Sequence, residues 1–397
     1  MEDFDEAIVL DREALDLRPP GHPDRSMSLN NLAIRLSARY KQLGGVEDLD
    51  EAVVLDREAL DLRPLGHPDR SSSLNNLAID LSARYKQLGG LEDLNEAIFL
   101  DREALNLCLQ GHPNRSLFLH ALAYHLYDRF SHFGELKDKE EVFDLYTQLA
   151  GVPQTVSPTD LSAARAWIGT AQHFQHPSIL LAYETSLRFL TQHLATLPSI
   201  PQHLSILENL ASSLAVDAFS ACLRQGASAR AVELLERGSG VFWAKLTRLH
   251  SPLDDLITSG SAGKKLADDY TRIALLLIRN ALNSPSSDQH ERLCHLNVAM
   301  HKVVTNVRAL PGLSRFFLPA LFPDLRCAAS GGPVVVVNES EHSCDALIVL
   351  LDRDLVHIPL HIIREGVRDM STELCKLTER AKRIDVSREL AGFLRKL

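Results

Sequence analysis

Apolar side chains recur at three- and four-residue spacing along most of the chain, and the pattern is sharpest in its first third. Leu29, Leu32, Ala33, Leu36 and Tyr40 fall on one stripe of a helix that runs to Leu43. The Gly44-Gly45 pair then stops it, because glycine readily takes the left-handed conformation that ends helices. Leu49, Ala52, Leu55, Ala59 and Leu62 make a second stripe, with Asp48 as its expected N-cap, Glu51 three residues on and Pro64 at its close. Pro23 and Pro68 suit a first helical turn, where a missing N–H is no loss. Neither helix can bury its stripe unaided, and small Ala33 and Ala52 mark where the two can approach closely.

This pattern repeats. GHPDRS begins at Gly21 and Gly66 and returns as GHPNRS at Gly111, a period of about 45 residues that falls in the range of helical solenoids. The segment before Gly21 reads as the second half of a further copy. In the third copy Asn75 gives way to His120 and Asn76 to Ala121, while Phe118, Tyr124, Tyr127, Phe130 and Phe133 add aromatic bulk. A terminal repeat is expected to differ in this way, because it meets something other than its own copy. Pro153 and Pro158 then break the pattern. Beyond them the spacing predicts helices over residues 160–174, 177–195, 203–225, 228–250, 264–283 and 288–309.

From Gly331 the period changes. PVVVVNES and CDALIVLLD are short, uninterrupted, β-branched runs that read as strands of a parallel-type sheet buried on both faces, and DLVHIPL adds a third. After Leu360 the pattern turns helical and charged. So small a sheet leaves edges unpaired and one face uncovered. Helices of the chain cover it, another chain does, or the gene product is shortened, and the last is the favoured expectation.

Two resemblances rest on these residues. SLNNLAIRLSARYKQLGG followed by DLDEAVVLDREALDLRP resembles the tetratricopeptide repeat, in its longer kinesin-light-chain-like form with an LNNLA segment. Ala52, Ala59 and Pro64 stand at that family's second-helix spacing, and the first helix exceeds the short form by several residues before Gly44. The resemblance implies that the first helix of each pair lines a concave face. It thereby nominates Asn30, Asn31 and Arg35, then Asn75, Asn76 and Asp80, and His120 in the third copy, as groove positions for a partner polypeptide. An asparagine amide offers donors and an acceptor to an extended backbone. Capping or bridging of adjacent helices is an equal reading of the same asparagines. For Arg39, Arg84 and Arg129, which share one repeat position, an ion pair between helices is the expected role.

RAVELLERGSGVFWAKLTRLHSPLDDL is similar to the junction found where divergent tetratricopeptide repeats precede a CHAT domain, a caspase-like fold, and Trp243, Phe242 and Leu246 are expected to pack as core there. LRCAASGGPVVVVNESEHSCDALIVLLDRDLVHIPL resembles the opening of that domain. Caspase-like catalysis needs a thiolate beside a histidine base, and in that family the histidine sits in a His-Gly pair ahead of the cysteine. No His-Gly pair follows Leu360, and Cys375 lies between Glu373 and Glu379, which disfavour a thiolate. Cys344 matches a structural cysteine of the family, while His342, His357 and His361 complete no dyad, so no catalytic residue is expected.

Charge and cysteine usage narrow the class. A net charge of −10 argues against nucleic acid or an anionic membrane as partner, because such surfaces demand a basic field. Six scattered cysteines without C-x-x-C spacing read as reduced thiols. With no signal-peptide pattern and no apolar run of membrane-spanning length, a cytoplasmic protein is expected. His120 with His125, and His173 with His176, lack a carboxylate or thiol at ligand spacing, and no phosphate-loop or dinucleotide motif occurs, so neither metal nor cofactor is expected.

The sequence thus predicts a mostly α fold: a tetratricopeptide-like α-solenoid followed by a small, incomplete α/β (caspase-like) segment. Its expected divisions are repeats over 1–150, divergent helical repeats over 151–312 and the CHAT-like segment over 313–397. The expected function is a non-catalytic scaffold that binds a protein or peptide partner, with association through the incomplete C-terminal sheet as a further contact. The alternative is a fragment or inactive variant of a repeat-regulated caspase-like cysteine protease.

Overall fold

A computed structural model describes residues 2–108, 112, 114–152, 158–196, 212–239, 253–281, 287–316, 318, 320–361, 366 and 372. Trp243, Phe242, Leu246, Cys375 and most of the helical pattern expected after Leu360 lie outside the described residues. The chain forms two compact units, Met1–Thr185 and Ser186–Leu397.

In the first unit α1 (Glu2–Asp16) precedes three helix pairs: α2 (Arg25–Leu43) with α3 (Val46–Asp61), α4 (Arg70–Leu88) with α5 (Leu91–Leu107), and α6 (Arg115–Phe133) with α7 (Leu136–Ala150). Each pair packs together, and each second helix also packs on the first helix of the next copy. The stripes read from the sequence form the core, except that Leu62, which caps the end of α3, is exposed. Leu32, Ala33, Leu36 and Ala52 are buried with Ile8, and Leu74, Leu77, Ala78 and Leu81 with Ala97, Leu100, Ala104 and Phe118. Unit one is a solenoid-like array of paired helices.

Helix ends follow backbone chemistry more than the side-chain signals suggested. Gly44, Gly89 and Gly134 close the first helices at φ 78, 79 and 71°, each N–H donating at 2.7 Å to the carbonyl four residues back. Pro23 and Pro68 lie in the turn before the helix rather than in its first turn, since α2 and α4 begin at Arg25 and Arg70. Asp48 is not the N-cap of α3. Extended Gly45 takes that place, and the Asp48 carboxylate is engaged instead by Arg39 at 2.6 and 2.7 Å.

The aromatic bulk of the third copy has a partner. α8 (Pro158–His173) packs on α6, and Phe174 beyond it meets Tyr127, Phe130 and Phe143 edge-on. Trp167 is fully buried, stacks on Tyr146 at 6.1 Å and donates its indole N–H to Ser178 at 3.0 Å. α9 (Ile179–Thr196) follows.

In the second unit α10 (Ser212–Arg224) pairs with α11 (Ser228–Ser239), and α13 (Ser261–Ala281), after the short α12 (Asp254–Thr258), pairs with α14 (Ser287–Arg308). A Cβ on Gly238 would lie 2.3 Å from the Ala215 Cβ, so glycine there sets how closely α11 approaches α10. Leu256, Ala267, Tyr270, Ile273, Ala274, Val303 and Val307 make a separate core.

After α15 (Phe322–Arg326), β1 (Val334–Glu339), β2 (Cys344–Val349) and β3 (Val356–Leu360) form a three-stranded sheet in the order β1-β2-β3. The strands are antiparallel, with Asn338 opposite Asp345 and Leu347 opposite His357, and this corrects the parallel-type pairing expected from their unbroken apolar runs. Connection length decides the matter. Ser340–Ser343 is far too short for a parallel crossover, which takes a dozen or more residues, and Ser340 Oγ ties the turn by accepting from the His342 and Ser343 amides. Nor is the sheet buried on both faces. Leu347 and Asp345 are buried on one side, whereas Val335, Val337, Val356 and Ile358 are exposed on the other.

Candidate functional site

The first helices of the three copies carry the residues nominated for binding, and helix periodicity divides them into an outer row and an inner row. Asn31 and Arg35 of α2 are exposed; Asn30 of α2 and Asn76 of α4 are half-buried. The Asn76 amide donates to the Asn30 side-chain carbonyl at 3.0 Å, so these two bridge adjacent repeats. Arg35 Nε lies 3.6 Å from the Asp11 carboxylate, and more than half of its side chain remains in solvent. Asn75 and Asp80 face inward instead: each is 4% exposed, and Asp80 accepts from the Ser37 hydroxyl. His120 is half-buried between Tyr124 and Tyr146, with both ring centroids 6.3 Å away. Burial, then the neighbouring His125, pushes its pKa below the usual imidazole value.

Sequence reasoning missed the apolar members of this row. Met27 and Ile34 of α2 are exposed large apolar side chains, and Tyr124 of α6 is 42% exposed. The repeat offset brings Ile34, Ile79 and Tyr124 to one position in three successive copies, a signal available in the sequence once the copies are aligned. Lys86 covers the Tyr124 ring at 4.2 Å and pairs with Asp128 at 2.9 Å, placing one cation on the aromatic platform. The outer row therefore mixes amide, apolar and cationic groups on one continuous set of helices.

Beneath and beside it, charged staples hold the copies in register. Arg39 grips Asp48 with two nitrogens and reaches Asp5 at 2.7 Å. Arg84 does the same with Asp93 and Asp50, and Arg129 with Asp138 and Asn95. These pairs between helices are the expected role of the three arginines. Hydrogen bonds to the carboxylates raise the pKa of each still further above its ordinary value. A second series, Arg12–Glu51, Arg57–Glu96 and Arg102–Glu141, links successive second helices at 2.7 Å.

The C-terminal sheet carries a polar cluster of its own. Asp345 is buried and accepts from Ser343 at 2.6 Å and from Ser220 of α10 at 3.3 Å, with His357 Nε2 at 2.8 Å from its other oxygen. Asn338 donates to Ser220 and to the Val216 carbonyl, fastening β1 to α10. These bonds brace the sheet and fasten it to α10. Burial, with Glu339 and Asp345 nearby, pushes the Cys344 thiol upward and keeps it protonated. Among the described residues no three histidine, cysteine or carboxylate side chains converge on a point a metal ion could occupy, and no helix is long and apolar enough to cross a membrane.

No family model matches the chain, and no curated protein matches it either. Among solved structures it is similar to a putative kinesin light chain from Podosopora anserina with nearly identical TPR-like repeats, at 22% identity and a TM-score of 0.33, over 57% of this chain and 99% of that one. A single-substitution form of that same protein aligns at 20% identity and a TM-score of 0.34, over 58% and 100%.

Proposed function

We propose that the first unit is a protein-interaction scaffold whose outer row on α2, α4 and α6 holds a segment of a partner polypeptide. The supporting observation is the row itself: Met27, Asn31, Ile34 and Arg35 with Asn76 and Tyr124 reach solvent along the first helices, whose inner faces are spent on packing and staples. Backbone-reading amides beside apolar and aromatic contacts are the chemistry by which a peptide is held. Asn31, Arg35, Asn76 and Tyr124 make direct contact in this reading. Asn30 and His120 shape the floor, and Asn75 and Asp80 act from below.

A photo-crosslinking side chain placed at Met27 or Ile34 is expected to capture protein adducts in cells, and the same group at Val54, which is exposed on α3, is expected to capture none. The double variant Asn31→Ala with Asn76→Ala should abolish the adducts while circular dichroism stays unchanged. Equal capture from Val54 would sink the assignment.

For residues 313–397 the proposal is narrower. The likeness to the front of a CHAT domain, and association through the sheet, rest on the strand strings and on the apolar face of Val335, Val337, Val356 and Ile358. A genomic His-Gly pair and later cysteine beyond Leu397 would support a caspase-like relative, and an in-frame stop with neither would end that idea.

A further inference from the structure

Each junction between copies sets one residue of a second helix against one residue of the next first helix, and the repeat offset makes these contacts directly comparable. At the first junction Asp11 of α1 lies 3.6 Å from Arg35 of α2. At the third, Asp101 of α5 lies 2.6 Å from His125 of α6, both side chains buried. Between them the equivalent positions are Asp56 of α3 and Asp80 of α4, near enough for the charge of Asp80 to act on Asp56, so a second carboxyl group stands where the flanking junctions have a cationic or imidazole partner.

Asp56 is 1% exposed, and neither of its oxygens has a hydrogen-bond partner among the described residues. Asp80 has both oxygens 2.7 Å from Ser37 Oγ, a hydroxyl with a single proton to give. The charged groups acting on the pair are few. Arg63 reaches Asp56 only through space, because its guanidinium is committed to the hydroxyls of Ser26 and Ser73, and Lys41 of α2 acts on Asp80. Neither α1 nor α5 supplies a hydrogen bond to either carboxyl among the described residues.

Two anions cannot share a dry slot without a counter-charge, and a carboxyl so placed takes up a proton. We infer that the buried Asp56–Asp80 pair holds at least one proton when the array is intact, and that its loss loosens this junction while leaving the flanking junctions in place. The inference is independent of what the outer row binds. Burial first, and then the charge of Asp80, pushes Asp56 up to about 8, and burial pushes Asp80 up to about 6. Both folded values lie above the ordinary 3.8, so the folded chain binds these protons more tightly than the unfolded one. Their contribution to stability is therefore full below 3.8 and declines as pH rises, through about 6 for Asp80 and about 8 for Asp56. The device is a pH-sensitive joint in the middle of the array.

Hydrogen–deuterium exchange on the full chain, corrected for intrinsic rates, reads the joint directly. From about pH 6 to about pH 9 the protection of α3 and α4 is expected to fall at least about tenfold more than that of α6 and α7. Asp56→Asn should remove that difference, and Asp80→Asn should shrink it, because burial alone still raises Asp56. Independently of any variant, the side-chain carboxyl resonance of Asp56 in the unaltered protein should titrate with a midpoint above about 7. A midpoint below about 5, parallel loss of protection at all junctions, or an unchanged pH response in Asp56→Asn would each overturn the inference.

Discussion

The two units stabilise themselves by opposite strategies. In the first, one set of contacts is written several times: the left-handed glycine cap, the double grip of arginine on aspartate and the Arg–Glu link recur at each copy. In the second, the fastenings are used once each: Gly238 under Ala215, Glu233 accepting from the Phe322 amide, and Asn338 clasping α10. Repetition confines damage, because a lost contact in one copy leaves its counterparts intact. Single-use contacts offer no such reserve.

Substitutions can break or sharpen this contrast. The largest effect is expected from Phe118→Ala, which empties a fully buried aromatic site shared by the second and third copies and should cost about 3–5 kcal/mol. Denaturant unfolding followed by Trp167 fluorescence in a Trp243→Phe background would measure it within unit one. Gly238→Ala drives a methyl into Ala215 and should cost about 1–3 kcal/mol, read as lost exchange protection in α10 and α11 with α2 to α5 unaffected. Arg84→Met severs the partly buried grip on Asp93 and should cost about 1–2 kcal/mol, with loosening confined to α4 and α5. Arg57→Ala removes a pair between two well-exposed side chains and should change stability by less than about 0.5 kcal/mol, shrinking further in high salt. If Arg57→Ala proved as damaging as Gly238→Ala, the idea that repetition spreads risk would fail.

Much of this architecture was legible in the sequence, for a physical reason. Solenoid helices are amphipathic in isolation and contact only their neighbours, so Leu32, Ala33 and Ala52 reveal their burial by spacing alone. Arg39, Arg84 and Arg129 were legible because a charge kept at one repeat position has a partner kept at another. What spacing does not give is the depth of a residue at the flank of a stripe. Asp80 and Asn75 were read as groove residues, whereas each turns inward, and the substitution of Arg35 by Asp80 between two otherwise nearly identical copies was the unheeded signal. Strand direction was misread from the apolar runs when the short connection after Glu339 already fixed a hairpin. Asp48 has the composition of an N-cap, yet a guanidinium nine residues upstream claims its carboxylate.

Because Arg12, Arg57 and Arg102 meet Glu51, Glu96 and Glu141 in a common geometry, the seams between copies share this link although their buried slots differ. A block of about 45 residues could be duplicated or deleted by unequal recombination, and the new seam would find its bonding partners already present. Copy number is thereby uncoupled from fold, and the reach of the proposed binding surface becomes a heritable length that can change in a single step.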